Sequence, residues 1–126
     1  MVLIIGGRYQ GKLDFARAHC GLEEKDICYC IEDGAFPDFH RRCLAYVDRF
    51  ALGCVRRGEE PADSFRERID LLGNSVILST DISCGVVPMD AEMRAWREAC
   101  GRMNSFLASR ADEVWRLFCG LPQRIR

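Results

Sequence analysis

Apolar residues fall in two rhythms along this chain. Short unbroken runs, Val2-Leu3-Ile4-Ile5 and Val76-Ile77-Leu78, carry β-branched residues and are bounded by glycine or polar turns. Such runs predict strands buried on both faces rather than alternating surface strands. Between them apolar positions recur every three or four residues, the period of a helix with one face on a core. The pattern predicts a strand at 2–5, a helix over 13–20 closed by Gly21, and a second strand at 27–31. It predicts a helix over 38–57, with Phe39, Cys43, Tyr46 or Val47, Phe50 and Cys54 on its stripe. A shorter helix follows with Ala62, Phe65, Ile69 and Leu72, and then a buried strand at 75–79. The cleanest stripe is Met89, Met93, Trp96, Cys100, Met103 and Leu107, which predicts core packing for that helix. A last strand is expected at 113–119, ended by Gly120 and Pro122.

Buried strands separated by helices imply an α/β fold with a mostly parallel sheet covered on both faces. No Pro/Gly/Ser-rich linker and no internal repeat interrupts the 126 residues, so one domain over 1–126 is expected.

The first strand runs into GGRYQGKL at residues 6–13. This matches the phosphate-loop pattern G-x-x-x-x-G-K-[ST] at every fixed position but the last, where Leu13 replaces the hydroxyl residue. Strand, glycine loop and helix in succession make the motif credible, and with a sheet covered on both faces a three-layer P-loop-like domain is expected. Gly6, Gly7 and Gly11 let successive backbone amides turn around a phosphate, and the helix after them adds its own amides and positive dipole end. Arg8, Tyr9 and Gln10 complete the loop, Arg8 within reach of phosphate or a partner and Tyr9 as a cover. Lys12 is the catalytic candidate, placed to neutralise charge on the outer phosphates. Leu13 cannot give an oxygen to Mg²⁺, which is expected to slow phosphoryl transfer by about a hundredfold or more while sparing binding.

Charge narrows the partners. Lys and Arg number 18 against 19 Asp and Glu, so no global field recruits nucleic acid. No apolar run approaches the roughly 20 residues of a membrane span, and no secretory leader pattern opens the chain, so a cytoplasmic domain is expected. The eight cysteines include no C-x-x-C pair, and Cys43, Cys54 and Cys100 fall on predicted apolar stripes, as reduced, packed thiols do.

A second constellation, STDISCGVVP at residues 79–88, leaves a buried strand and ends in a glycine turn. Polar groups at the carboxyl ends of parallel strands face the ligand crevice, which makes Asp81 the candidate carboxylate for a metal or an activated water. At this point the chain resembles the bifunctional adenosylcobinamide kinase/adenosylcobinamide-phosphate guanylyltransferases of cobalamin biosynthesis. GGRYQGKLDFA looks like their phosphate loop, and STDISCGVVP like their S-N-E-V-G-x-G-I-V-P signature, with Asp81 at the Glu, Thr80 at the Asn and Ser83 at the first Gly. Arg94, Gly101-Arg102-Met103-Asn104, Ala111-Asp112-Glu113-Val114 and Gly120-Leu121-Pro122 follow the family's closing helix, strand and G-x-P.

The resemblance implies purine nucleotide (GTP or ATP) with Mg²⁺, a corrinoid substrate and a homo-oligomer. It also implies two features that the sequence lacks at the expected places. The family's D-C-L-T strand, whose Asp helps handle the metal, is expected between Glu59-Glu60-Pro61 and Ser75, where the pattern here is helical. The guanylyl-accepting histidine is expected about a dozen residues before Glu59-Glu60-Pro61, near Val47, and neither His19 nor His40 can inherit it. The chain therefore reads as a shortened, divergent member that binds nucleotide phosphate with weak or no phosphoryl transfer. An active nucleotide-dependent cobinamide kinase and a non-catalytic interaction or scaffold protein stay open beside it.

Overall fold

Val2–Gly6 forms β1, the centre of a six-stranded sheet of order β2-β3-β4-β1-β5-β6. The computed structural model describes residues 1–33, 35–82 and 90–126. Around β1 stand β2 (Ile27–Tyr29), β3 (Cys43–Ala45), β4 (Val76–Thr80), β5 (Glu113–Phe118) and β6 (Leu121–Arg124). All pairs are parallel except β5 with β6. The sheet is thus mixed but mostly parallel, as the alternating pattern implies.

Four helices cover it among the described residues: α1 (Lys12–Cys20), α2 (Val47–Arg56), α3 (Pro61–Glu67) and α4 (Ala91–Arg110). Alternation along β1 sends neighbouring side chains to opposite faces. Leu3 enters a core with Phe50, Phe65, Ile77, Trp96 and Met103, under α2, α3 and α4. Ile4 enters a second core with Ala16, Ile27, Cys43 and Leu78, under α1. Each face needs helical cover because the strands are apolar on both sides, and the result is three layers.

Helix ends follow the sequence signals. Pro61 opens α3 and the Glu60 carboxylate accepts from the Ala62 amide. Asp90 caps α4 by accepting from the Glu92 amide at 2.7 Å. Gly21 closes α1 in the left-handed region at φ 65°. The α4 stripe packs inward as expected: Trp96, Cys100, Met103 and Leu107 are buried, while Met89 lies outside the described residues.

The helix expected over 38–57 is half wrong. Its first part contributes β3, whose three residues are fully buried between β2 and β4. Tyr46 then turns the chain at φ 62° into α2. A three-residue strand buried on both faces shows no alternation, so its apolar positions merge with the helical rhythm that follows. The strand beside β4 thus comes from residues ahead of Glu59-Glu60-Pro61, and none lies between that segment and Ser75, as expected. The segment after Pro61 is helical, as read, with α3 followed by a 3-10 turn at Ile69–Leu71. The strand at 27–31 stops at Tyr29, and β6 follows Gly120 where the sequence reading placed only a stop.

The seven described cysteines are free thiols. Burial pushes the Cys43 thiol up to about 12 and Cys54 to about 11, so both act as packing groups rather than nucleophiles. No helix among the described residues is long and apolar enough to cross a membrane.

Candidate phosphate-binding site

Three strands deliver the site. β1 pairs with β4 and β5 so that Gly6 lies level with both Thr80 and Leu117, and their carboxyl ends share one edge of the sheet. From that edge the chain makes a tight loop, with Tyr9 at φ 58° and Gly11 at φ 85°, and enters α1 at Lys12. The loop fits only because Gly6 has no side chain: a Cβ there would stand 2.7 Å from the Leu117 carbonyl oxygen. Gly6→Ala must therefore push β5 away from β1. We expect a loss of about 1–3 kcal/mol in stability, measured as a lower urea midpoint.

The loop, the start of α1 and the ends of β3 and β4 enclose a cavity of about 490 Å³. Arg8, Tyr9, Gln10, Gly11, Lys12 and Leu13 line one side, and Tyr46, Asp48, Arg49 and Thr80 the other. Lys12 is 5% exposed, and its ammonium donates to the Gly6 and Gly7 carbonyls at 3.1 and 2.7 Å. Two of its three donors are thus spent on fixing the side chain along the loop. Burial lowers its pKa, the nearby Asp48 carboxylate raises it, and Arg8 lowers it again. Leu13 turns carbon, not oxygen, towards the cavity and packs on the core beneath α1. Tyr9 is fully exposed over the loop.

Asp48 is the residue that sequence reasoning missed. It stands in the first turn of α2, three residues after the end of β3, and is 4% exposed. One carboxylate oxygen accepts from the Thr80 amide at 2.9 Å, and its carbonyl accepts from the Trp96 indole at 2.7 Å. These bonds lock α2 against β4 and α4 and hold the carboxylate in the Lys12 cavity. Burial raises the Asp48 pKa, and the Thr80 amide and the Lys12 charge oppose that rise. Read as part of one long helix, Asp48 resembled an ordinary exposed polar position; an aspartate just after a short apolar run was the available signal.

Asp81 stands elsewhere. Its amide donates to the Gly6 carbonyl at 2.8 Å, and it lines two adjoining cavities of about 220 and 380 Å³, the larger of which Gly6, Gly7 and Gln10 of the loop also line from their other side. The structure thus brings Lys12 together with Asp48 and Thr80, and places Asp81 outside that cavity. Residues 83–89, which carry the rest of the STDISCGVVP motif, lie outside the described residues. His19 pairs with Glu113 at 3.1 Å and stacks on Phe15, and His40 is exposed; neither lines the Lys12 cavity. Among the described residues no group of three or more His, Cys, Asp and Glu side chains is placed to hold a metal ion. The donor set fits a metal only in part: Asp48 offers a buried carboxylate, Asp14 and Glu32 also line the cavity, and Leu13 offers nothing.

Comparison with known proteins adds what geometry alone does not. The family model for cobinamide kinase / cobinamide phosphate guanyltransferase matches residues 56–125, from the end of α2 through β6. The bifunctional adenosylcobalamin biosynthesis protein CobU of Salmonella typhimurium is 35% identical over 51 residues, 40% of this chain and 28% of that protein. Its counterpart from Escherichia coli is 33% identical over the same shares. The chaperone protein TorD of Ferrimonas balearica is 29% identical over 125 residues, 89% of this chain and 57% of that protein. The chain thus spans less than two thirds of each of these relatives. The family match leaves the loop at residues 6–13 outside its bounds but takes in the two strands that flank β1. With more than half of its residues matched, the chain belongs to the cobinamide kinase / cobinamide phosphate guanyltransferase family.

Proposed function

We propose that this chain binds the phosphates of a purine nucleotide at residues 6–13 and transfers phosphate weakly or not at all. The observation that carries the reading is the buried Lys12 ammonium, tethered to the Gly6 and Gly7 carbonyls at the mouth of α1. An ammonium taken out of water is costly unless anions compensate it; Asp48 offsets part of the charge, and a phosphate on the α1 amides would supply the rest. In this reading Asp48, rather than Asp81, is the carboxylate beside the phosphates. With the phosphate oxygens and water it would complete the shell of a Mg²⁺ ion, which supplies charge neutralisation during transfer. Leu13 removes the hydroxyl that would fix such an ion, which supports binding without efficient turnover.

Calorimetry with GTP and ATP, each with and without Mg²⁺, tests this directly. Heat with either nucleotide is expected, and no heat with both would end the binding reading. Leu13→Ser is expected to strengthen the Mg²⁺ dependence of binding and to raise any nucleotide hydrolysis severalfold; no change in either would show that the hydroxyl is not the main deficit. A corrinoid as second ligand follows from family membership alone and is tested by adding cobinamide to the same titration. A second reading, a non-catalytic interaction or scaffold protein, is favoured by Leu13 and by the likeness to a chaperone protein along 89% of the chain. Product release with cobinamide and nucleotide present would overturn it.

A further inference from the structure

The phosphate loop does not stand alone at the sheet edge; it is fastened to the turn between β5 and β6. Phe118 pairs with Leu121, and Cys119 and Gly120 form a two-residue turn at φ 51° and 76°, the arrangement in which both central residues are left-handed. The Cys119 amide donates to the side-chain oxygen of Gln10. The Gly120 amide donates to the Gln10 carbonyl at 3.2 Å. A Cβ on Gly11 would lie 3.6 Å from the Gly120 Cα, in ordinary contact, so the turn stands directly beside the loop. All four residues of β6 are exposed, and neither Cys119 nor Gly120 lines the Lys12 cavity.

We propose that the β5–β6 hairpin is a positioning element of the phosphate loop, coupled to it through Gln10. This rests on the reading of residues 6–13 as the phosphate site. A loop bent through two left-handed residues has other conformations open to it, and each one excluded beforehand is entropy not lost on binding. Two hydrogen bonds from a rigid turn exclude those in which Gln10 swings away. Linkage makes the effect reciprocal: an anion that fixes the loop must also fix the turn.

Amide exchange by NMR and titration of inorganic tripolyphosphate, both on the full chain, test this. Gln10→Met keeps the length of the side chain and removes the acceptor. Gly120→Ala strains the turn without touching the loop, since a Cβ there meets nothing within 4 Å. Each variant is expected to speed exchange of the amides at residues 7–11 and to weaken tripolyphosphate binding roughly fivefold, the worth of one net hydrogen bond. The double variant should lose less than the product of the two. In the unaltered chain tripolyphosphate should slow exchange at Cys119 and Gly120, which a merely structural turn would not show. The proposal is overturned if Gln10→Met frees the Cys119 amide yet leaves exchange in the loop unchanged. If the unaltered chain does not bind tripolyphosphate, the nucleotide reading fails by itself. The exchange comparison then still decides the coupling, faster loop exchange upholding it and unchanged exchange refuting it.

Discussion

Lys12→Ala is expected to weaken nucleotide binding by about a hundredfold, close to 2.7 kcal/mol, with the fold retained. The size follows from losing a charge-assisted contact to phosphate in a partly desolvated site. The pH dependence follows from what the ammonium costs. Burial lowers the Lys12 pKa from its ordinary 10.5, so between the lowered value and 10.5 the unfolded chain binds more protons than the folded one. Stability from this group therefore rises with pH across that window. Lys12→Met removes the titrating group and should lose that alkaline rise, while also giving up the bonds to the Gly6 and Gly7 carbonyls. Nucleotide affinity should show the opposite trend and fall as pH climbs into the range where Lys12 deprotonates. Calorimetric titration across alkaline pH, with thermal melts of both variants, checks all of this. An unchanged affinity in Lys12→Ala would remove Lys12 from the site.

Asp48→Asn is expected to abolish the tightening of nucleotide binding by Mg²⁺, a loss of about tenfold or more if the carboxylate is a metal ligand. Asparagine keeps an oxygen for the Thr80 amide, so the variant separates charge from architecture. Asp48→Ala does not: it leaves that buried amide unpaired and should cost about 1–3 kcal/mol of stability. The pH signature has its own sign. Burial raises the Asp48 pKa above 3.8, so the folded chain holds the proton longer than the unfolded one. The stability this provides is present below the unfolded value and lost as pH rises through the folded one. At pH 7 the parent therefore carries a buried charge that Asp48→Asn lacks. The variant should melt at least as high there, with the advantage shrinking as pH falls into the carboxylate range. Asp81→Asn is the companion measurement. If it, and not Asp48→Asn, removes the Mg²⁺ effect, the metal carboxylate is the one the sequence reading favoured.

Much of this architecture was legible in the chain. The apolar run before GGRYQGKL, the helix after it and Gly21 are each set by neighbours within a few residues. Local pattern fixes β1, α1 and the loop between them. The closing stripe of α4 was readable for the same reason, because its period extends over many turns. Family membership was legible through the ordered motifs of the second half, where the family match also falls.

What failed to show was short or distant. Cys43–Ala45 is too brief for a strand period to separate from the helix beside it. The β5–β6 turn was legible as a glycine stop, but its hold on Gln10 joins residues 109 apart. Asp48 is the clearest case: its place in the cavity is fixed by Thr80, 32 residues on, and Trp96, 48 residues on. The sequence by itself showed a G-x-x-x-x-G-K pattern between a strand and a helix, with Lys12 present and no hydroxyl at position 13. The tertiary structure alone placed the buried Asp48 carboxylate in the same cavity as Lys12. Residue type and local rhythm set the conformation of a segment, whereas the burial and charge partners of a side chain depend on which distant segments pack against it.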